Sequence, residues 1–310
     1  GQDLARATSG AAATLLGKIY LRNHDYANAK TYIDMVLNSG QYELESDFKY
    51  VWSENNKYGK EMIFALLHET GNNAAEIACH FGPSDHPEVP GRWQYYGVSL
   101  PFWRSYDKED PRREFFYYDY TGDAKRDDQS DYGFHYMVPE EGVTVVPNDT
   151  TKYMQNVATM KYTYDMISDA YYDGRTICIF RLSDVILCKA EIENNLNGPA
   201  AALPYLNQIR ARAGAPEYGK HNRFPAPSTK EAMNDAILKE RGYELVFEFQ
   251  RRADLIRFGK YEEVVNAHLK KLGIAQPTNV TSSLRYFPYP LNDAQLNPNL
   301  AAENPSRLPK

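Results

Sequence analysis

Apolar and small residues recur at helical spacing along residues 8–40, TSGAAATLLGKIYLRNHDYANAKTYIDMVLNSG. The pattern predicts two helices split near His24 and Asp25, with Gly40 as a C-terminal stop. Leu16, Gly17, Tyr20, Ala29, Ile33 and Val36 have the spacing of the large, small, aromatic, small, large and small positions of a tetratricopeptide pair. Small residues let the two antiparallel helices approach closely, while Tyr20 and Ile33 fill the gaps between them. A second, degenerate repeat is expected from Ile177 to Gly214, with Ile186, Ala190, Ala202, Leu206 and Ile209 at similar spacing. Glu193 stands there in place of an aromatic residue. Asn197-Gly198-Pro199 supplies its turn and Gly214 closes its second helix. A third helical block is expected over residues 229–258. Thr229 is placed to cap it, Ala236, Ile237, Leu245, Phe249 and Leu255 contribute to an apolar stripe, and Gly259 ends it.

Between the first two repeats the helical period fades. Residues 68–175 hold Pro83, Pro87, Pro90, Pro101, Pro111, Pro139 and Pro147 among many Gly, Asp and Tyr residues, which predicts loops, short helices and a hairpin. Long ordered loops on a rigid scaffold commonly carry function. From residue 273 onward the chain is Pro- and Asn-rich and is expected to run extended. The fold class read from these patterns is mainly α: a tetratricopeptide-like helical scaffold with a large irregular region. Three stretches make it up, namely 1–67, 68–175 and 176–310, forming one unit.

Composition changes this picture in one respect. The chain has 310 residues, with 25 Tyr against 13 Phe and 3 Trp. A tyrosine has an apolar ring and a polar tip, which suits it to amphipathic ligands such as sugars and equally to half-exposed helix faces. The net charge is −6, and no stripe of Lys or Arg forms. Nucleic acid and anionic membrane are therefore set aside as partners. Cys79, Cys178 and Cys188 are odd in number and fit no CxxC pattern. Cys178 and Cys188, among apolar neighbours, read as buried thiols. No apolar stretch reaches the 18 or so residues of a membrane span, and no signal-peptide pattern opens the chain.

Glu240, Glu244 and Glu248 at i, i+4 and i+8 would share one helix face and repel unless paired. Arg241, Arg251, Arg252 and Arg257 are the partners nearest in sequence. No Glu-x-x-His accompanies them, which removes a di-iron reading. Arginine matches carboxylates bidentately, so Glu240, Arg241, Glu244, Glu248, Arg251 and Asp254 are expected to form a structural ion-pair network. No catalytic set stands out. A glycoside hydrolase needs two convergent carboxylates, and no motif singles out a pair. His68-Glu69 lacks the second His of HExxH, and His80 and His86 flanking Asp85 read as surface histidines. Residues 119–131 and the i+4 series Asp165, Asp169 and Asp173 lack the ligand order of an EF-hand. No metal or cofactor is expected, and calcium is left open without support.

The segment KAEIENNLNGPAAALPYLNQIRARAGAP resembles the third-repeat segment of the SusD/RagB family. LKERGYELVFEFQRRADLIRFGK resembles its helix patterned on Glu240, Arg241, Glu244, Leu245, Phe247, Glu248, Arg251, Asp254, Leu255 and Arg257. YFPYPLNDAQLNPNLAAENP resembles its closing aromatic-proline segment, and the opening helices resemble its second repeat pair. Phe249 departs from the pattern, standing where the family usually has Gly. The resemblance implies a right-handed helical scaffold, an outer-membrane, cell-surface lipoprotein and a SusC-like, TonB-dependent transporter as partner. It also implies binding of a glycan or other nutrient without catalysis. It further implies upstream sequence carrying the signal, the lipidated cysteine and a first repeat pair, so that membrane contact would come only through that anchor. Binding residues vary across the family, so none is carried over.

The ligand-binding expectation rests on local chemistry. Arg92, Trp93, Tyr95 and Tyr96 follow a Pro-rich loop and offer a platform on which a sugar's C–H faces stack while polar groups bind its hydroxyls. Tyr171 and Tyr172 in a polar loop are secondary candidates. Trp103, in a helical PFWRSY, and Trp52 read as core. The rival readings are a tetratricopeptide-type protein-interaction scaffold and, as a minor alternative, a glycoside hydrolase.

Overall fold

The first helix pair is built by complementary sizes. In the computed structural model, α1 (Ser9–Arg22) and α2 (Tyr26–Leu37) are separated by His24, whose φ is +58°, and Asp25, whose carboxylate caps α2 by accepting from the Asn28 amide. Gly17 lies directly on Ile33, and a Cβ there would stand 2.8 Å from Ile33 Cδ1. Ile33 and Ala29 are fully buried at this contact, the Ile side chain alone contributing roughly 1.5–3 kcal/mol. The structure describes residues 6–71, 75, 77–83, 86–89, 93–122, 133–141, 151–165, 174–271, 280–281, 287, 289–297 and 299.

After α2 come β1 (Met62–Leu66), α3 (Ile77–Phe81), β2 (Val98–Ser99) and α4 (Leu100–Arg104). The strands β3 (Phe116–Tyr117), β4 (Asp119–Thr121), β5 (His135–Met137), β6 (Thr151–Tyr153) and β7 (Asn156–Thr159) follow. The region expected to be irregular thus carries two three-stranded sheets, β2-β7-β3 and β4-β5-β6. Every pair in them is antiparallel except β5 with β6.

Ile177 does not open a helix as the repeat pattern predicts. Residues Ile177–Arg181 form β8, antiparallel to β1, and the helix α5 (Leu182–Asn197) starts only afterwards. The run Ile-Cys-Ile-Phe favours extended backbone by its β-branched and aromatic content. From Leu182 to Asn194 every residue of α5 is buried, because α2 packs on one side and α6 (Pro199–Ala213) and α7 (Lys230–Glu244) on the other. Glu193, in the place of the expected aromatic residue, pairs with Lys189 at 2.7 Å and accepts from Asn197. Pro199 opens α6 and Gly214, with φ +72°, closes it, the usual asymmetry of helix ends. Thr229 caps α7 by accepting from the Ala232 amide.

The third block is not one helix. α7 ends at Glu244, and Phe247 and Phe249 both take φ of +61°. Glu248 therefore lies on a turn, and the i+8 face expected for it does not exist. Residues Phe249–Lys310 form a second compact unit, with α8 (Arg251–Arg257), α9 (Tyr261–Lys271) and α10 (Leu291–Leu296). Within that unit the Asn266 side chain bonds both backbone groups of Val280. The tail expected to run extended contains α10, which begins after Pro290, where the fixed φ favours a helix start.

Candidate functional site

The short helix α3 buries Ile77, Ala78, Cys79 and Phe81 and leaves His80 half-exposed. Its last carbonyls have no partner within the helix. Two of them are taken up by the chain that follows: the Trp93 amide donates to Cys79 O at 2.8 Å and the Tyr96 amide to His80 O at 3.1 Å. The same segment is tied to β7. Gln94, with φ +49°, donates from its side chain to Asn156 Oδ1 at 3.2 Å. Gly97 lets Asn156 lie close, since a Cβ there would be 2.5 Å from Asn156 Oδ1. Val98 then pairs with Val157.

A segment fastened at both ends presents three rings to solvent. Trp93, Tyr95 and Tyr96 are 41%, 65% and 54% exposed. Trp93 and Tyr95 lie 5.4 Å apart at 33°, and His80 lies 5.1 Å from Trp93 and 5.5 Å from Tyr95. Tyr96 leans on the buried Phe81 at 5.1 Å. Exposed aromatic groups gathered on a braced backbone provide a flat apolar face with polar edges. His80 was not singled out for this role by its neighbours in sequence. The structure puts it among the rings, and its Nδ1 has no hydrogen-bond partner among the described residues. Arg92, Tyr171 and Tyr172, the other candidates for ligand contact, lie outside the described residues. Trp52 and Trp103 are buried.

His86, the other loop histidine, is held between Tyr117 and Tyr120 at 4.8 and 4.9 Å, and burial lowers its pKa. Asp119 pairs with His135, and Asp165 accepts from Ser53 and Asn55, bonds that lower its pKa. Asp85, Asp169 and Asp173 are outside the described residues. Among the described residues no three His, Cys, Asp or Glu side chains gather as a metal-holding group.

Behind the platform lies a buried network of charges. Arg181 Nη1 meets Glu61 at 2.6 Å and Glu244 at 2.8 Å, and Arg181 Nε meets Glu248 at 2.6 Å. Arg212 bridges Glu61 and Glu244, and Lys161 pairs with Glu248 at 2.6 Å. Arg112 bonds Asp110, Glu240 and Glu244, and Arg210 bonds Glu240 at 2.7 Å. Among the described residues, five carboxylates (Glu61, Asp110, Glu240, Glu244, Glu248) thus meet five cations (Arg112, Lys161, Arg181, Arg210, Arg212). Burial alone would raise the Glu244 pKa, but Arg212, Arg181, Arg112 and Lys161 outweigh it and hold the carboxyl below its usual range. The cations that pair Glu240, Glu244 and Glu248 come from far along the chain. Arg241 instead pairs with Asp184 at 2.7 Å, and Asp254 with Arg257 at 3.0 Å. Among the described residues this charge-neutral lattice keeps its carboxylates buried and presents no exposed pair of them to a cleft, as hydrolysis of a glycoside would need.

Comparison with known proteins fits this architecture. The sequence model of the SusD family matches residues 60–306. SusD-like protein P25 of Formosa agariphila is 26% identical over 96% of this chain and 58% of its own length. Starch-binding protein SusD of Bacteroides thetaiotaomicron is 28% identical over 44% of this chain and 22% of its own. Among solved structures, surface glycan-binding protein A from Bacteroides thetaiotaomicron in complex with laminarihexaose superposes with a TM-score of 0.68 at 21% identity, over 95% of this chain and 63% of that one. A SusD superfamily protein from Parabacteroides distasonis gives 0.69 at 20% identity, over 96% and 63%. The chain thus spans less than two thirds of the length of P25 and of both solved proteins. No helix among the described residues is long and apolar enough to cross a membrane. SusD family proteins are non-catalytic carbohydrate-binding lipoproteins of the outer-membrane surface. With the family match running from β1 into the C-terminal tail and the same helical scaffold in the solved neighbours, the chain belongs to the SusD family.

Proposed function

We propose that this chain binds glycans at the cell surface, on a platform formed by Trp93, Tyr95 and Tyr96 around His80, and passes them unaltered to a SusC-like, TonB-dependent transporter. The observation that carries the reading is the exposure of three neighbouring rings on a segment braced to both α3 and β7. Sugar rings present C–H faces that stack on aromatic planes, and the ring hydroxyls of the two tyrosines suit the hydroxyl rim. The laminarihexaose-bound neighbour supports a glycan as the ligand class. Family membership supports the transporter partnership and the outer-membrane lipoprotein location.

The test is calorimetric titration of the chain and of Trp93→Ala with a panel of neutral oligosaccharides that includes laminarihexaose. Circular dichroism checks the fold, and a reducing-sugar assay runs alongside. Trp93→Ala is expected to weaken binding about tenfold or more, as loss of a central anchor does, with an unchanged fold. Unaltered affinity in that variant overturns the platform, and release of reducing ends overturns the non-catalytic reading. A second reading, a scaffold for a protein partner, draws on the exposed Leu15, Leu16 and Ile19 of α1. It predicts that no oligosaccharide binds at all.

A further inference from the structure

A second concavity lies where the segment after α4 meets α7 and the α6–α7 connection. Its volume is about 280 Å³, near the lower end of small-ligand clefts, roughly 300–1,000 Å³. That is room for one sugar residue with a substituent. Four cations and two carboxylates line it: Lys108, Arg210, Arg223 and Lys239 against Asp107 and Asp110. The excess of two positive charges stands out in a chain of net charge −6.

The pairing inside the cleft decides which charges are available. Asp110 is taken by Arg112 through Nε at 3.0 Å and Nη2 at 2.8 Å. Asp107 is taken by Arg223 at 2.8 Å, and Arg223 also meets Glu109 at 2.7 Å. Arg210 is held by Glu240 and by the Pro216 carbonyl. Lys108 and Lys239 have no carboxylate partner among the described residues. Lys239 Nζ instead stands 5.7 Å from the centre of the Tyr243 ring. That ring stacks on Tyr106 at 4.2 Å, and its hydroxyl donates to Ser105. Phe224 forms part of the wall. The cleft therefore combines two uncommitted ammonium groups, an aromatic wall fixed from behind, and acids that are already neutralised.

We propose that this cleft is an anionic-sugar subsite in which Lys108 and Lys239 grip the carboxylate of a uronic acid or the sulfate ester of a sulfated sugar. The proposal rests on the glycan-binding reading above and names a charged ligand class for a second place on the same chain. Both sources share one chemistry, a sugar-borne anion, and the titration separates them.

The experiment is calorimetry of the chain, of Trp93→Ala and of the double variant Lys108→Gln/Lys239→Gln. The probes are a glucuronic-acid-containing oligosaccharide, a sulfated oligosaccharide, a neutral oligosaccharide of equal length, and inorganic sulfate. Both lysines are exposed, so the double variant keeps its fold. The chain is expected to bind a charged oligosaccharide more tightly than the neutral one, with a preference that fades as salt screens it. The double variant should lose about tenfold in that affinity, as removal of charge-assisted bonds does, and bind the neutral sugar as before. Preference for the glucuronate or the sulfate probe identifies the anion. Inorganic sulfate binding as tightly as any oligosaccharide overturns a sugar subsite. Equal affinity for charged and neutral sugars, or an unaffected double variant, overturns the cleft while leaving the Trp93 platform standing. Charged binding lost in the double variant but kept in Trp93→Ala upholds the cleft, and neutral-sugar affinity unaltered in Trp93→Ala removes the platform. If no oligosaccharide binds, both readings fall.

Discussion

Arg181→Met removes one cation from the centre of the buried network and leaves the side-chain stem nearly unchanged in volume. Arg181 is 2% exposed and makes five hydrogen bonds: Nε and Nη2 to Glu248, Nη1 to Glu61 and to Glu244, and Nη2 to the Glu244 carbonyl. In the variant, five carboxylates face four cations. Removing one partner of a buried pair costs about 3–5 kcal/mol, because the charge left behind can be neither solvated nor matched. Here two carboxylates and a carbonyl each lose one or two donors, while a third carboxylate, Glu61, keeps Arg212 as its cation and the Glu45 amide as a neutral donor, so the upper half of that range is expected. This is a large share of the roughly 5–15 kcal/mol by which a folded protein is stable. Equilibrium unfolding in guanidinium chloride, followed by circular dichroism, should show a lower midpoint with an unchanged slope. Arg181→Lys keeps the charge but loses the planar fork, and should fall between the variant and the parent. A loss below about 1 kcal/mol in Arg181→Met would refute the idea that these charges hold the centre of the fold.

Acid should undo the same network. Burial alone would raise the carboxyls of Glu244 and Asp184, but Arg212, Arg181, Arg112 and Lys161 hold the first, and Lys18 and Arg241 the second, below the usual carboxylate range. The unfolded chain therefore takes up protons first as pH falls. Stability present above about pH 5 is lost progressively through about pH 4 and below, so the melting temperature should fall steeply there and less steeply in Glu244→Gln. A flat profile between pH 5 and 3 contradicts this. Phe247 and Phe249 share the same left-handed backbone but not the same surroundings. Phe249 is 69% exposed, whereas the Phe247 ring stands 5.0 Å from Phe81. Relief of about 1–2 kcal/mol of strain, less about 0.5–1 kcal/mol for glycine's extra freedom when unfolded, makes Phe249→Gly stabilising by about 0.5 kcal/mol. In Phe247→Gly the lost ring packing, about 3 kcal/mol, reverses the sign. Thermal melts of the two variants should shift in opposite directions.

The helix pairs were legible in the sequence because their signals are local. Gly17 against Ile33 acts within one helical hairpin and Gly214 stops its own helix, the chain splits at His24 and Asp25 as the pattern expects, and each sits in the structure where the pattern places it. Two features misled. The apolar run before Arg181, Ile177 to Phe180, suits a strand or a buried helix, and only the pairing with β1, more than a hundred residues earlier, decides for the strand. Glu248 was placed on a helix face by its spacing, but two left-handed residues nearby end the helix before it. The cations around Glu240, Glu244 and Glu248 could not be found by proximity in sequence, since Lys161, Arg112, Arg181, Arg210 and Arg212 converge only through tertiary structure. His80 escaped for a similar reason: its neighbours in the chain are core residues, and the rings around it come from the next segment.

That convergence also bears on how the platform is supported. Glu61, Arg112, Lys161, Arg181, Arg210 and Glu244 come from six places on the chain, and apolar side chains could bury the same junction without fixing one segment against another. Forked guanidinium contacts demand a particular geometry, so they specify how the irregular region sits on the helices. Beside Lys161, the Tyr162 hydroxyl donates to the Phe247 carbonyl at 2.8 Å, and the Tyr162 ring stands 4.8 Å from Phe81. Phe81 in turn backs Tyr96 and directly follows His80. A continuous line of hydrogen-bonded and packed groups therefore runs from the neutral network to the exposed rings. Rings held from behind lose little freedom when a ligand stacks on them, which spares binding much of the ordering cost that a mobile loop would impose. The desolvation of ten charges is offset by their mutual pairing, and its return is a rigid mount for a binding surface on a part of the chain whose strands are only two to four residues long.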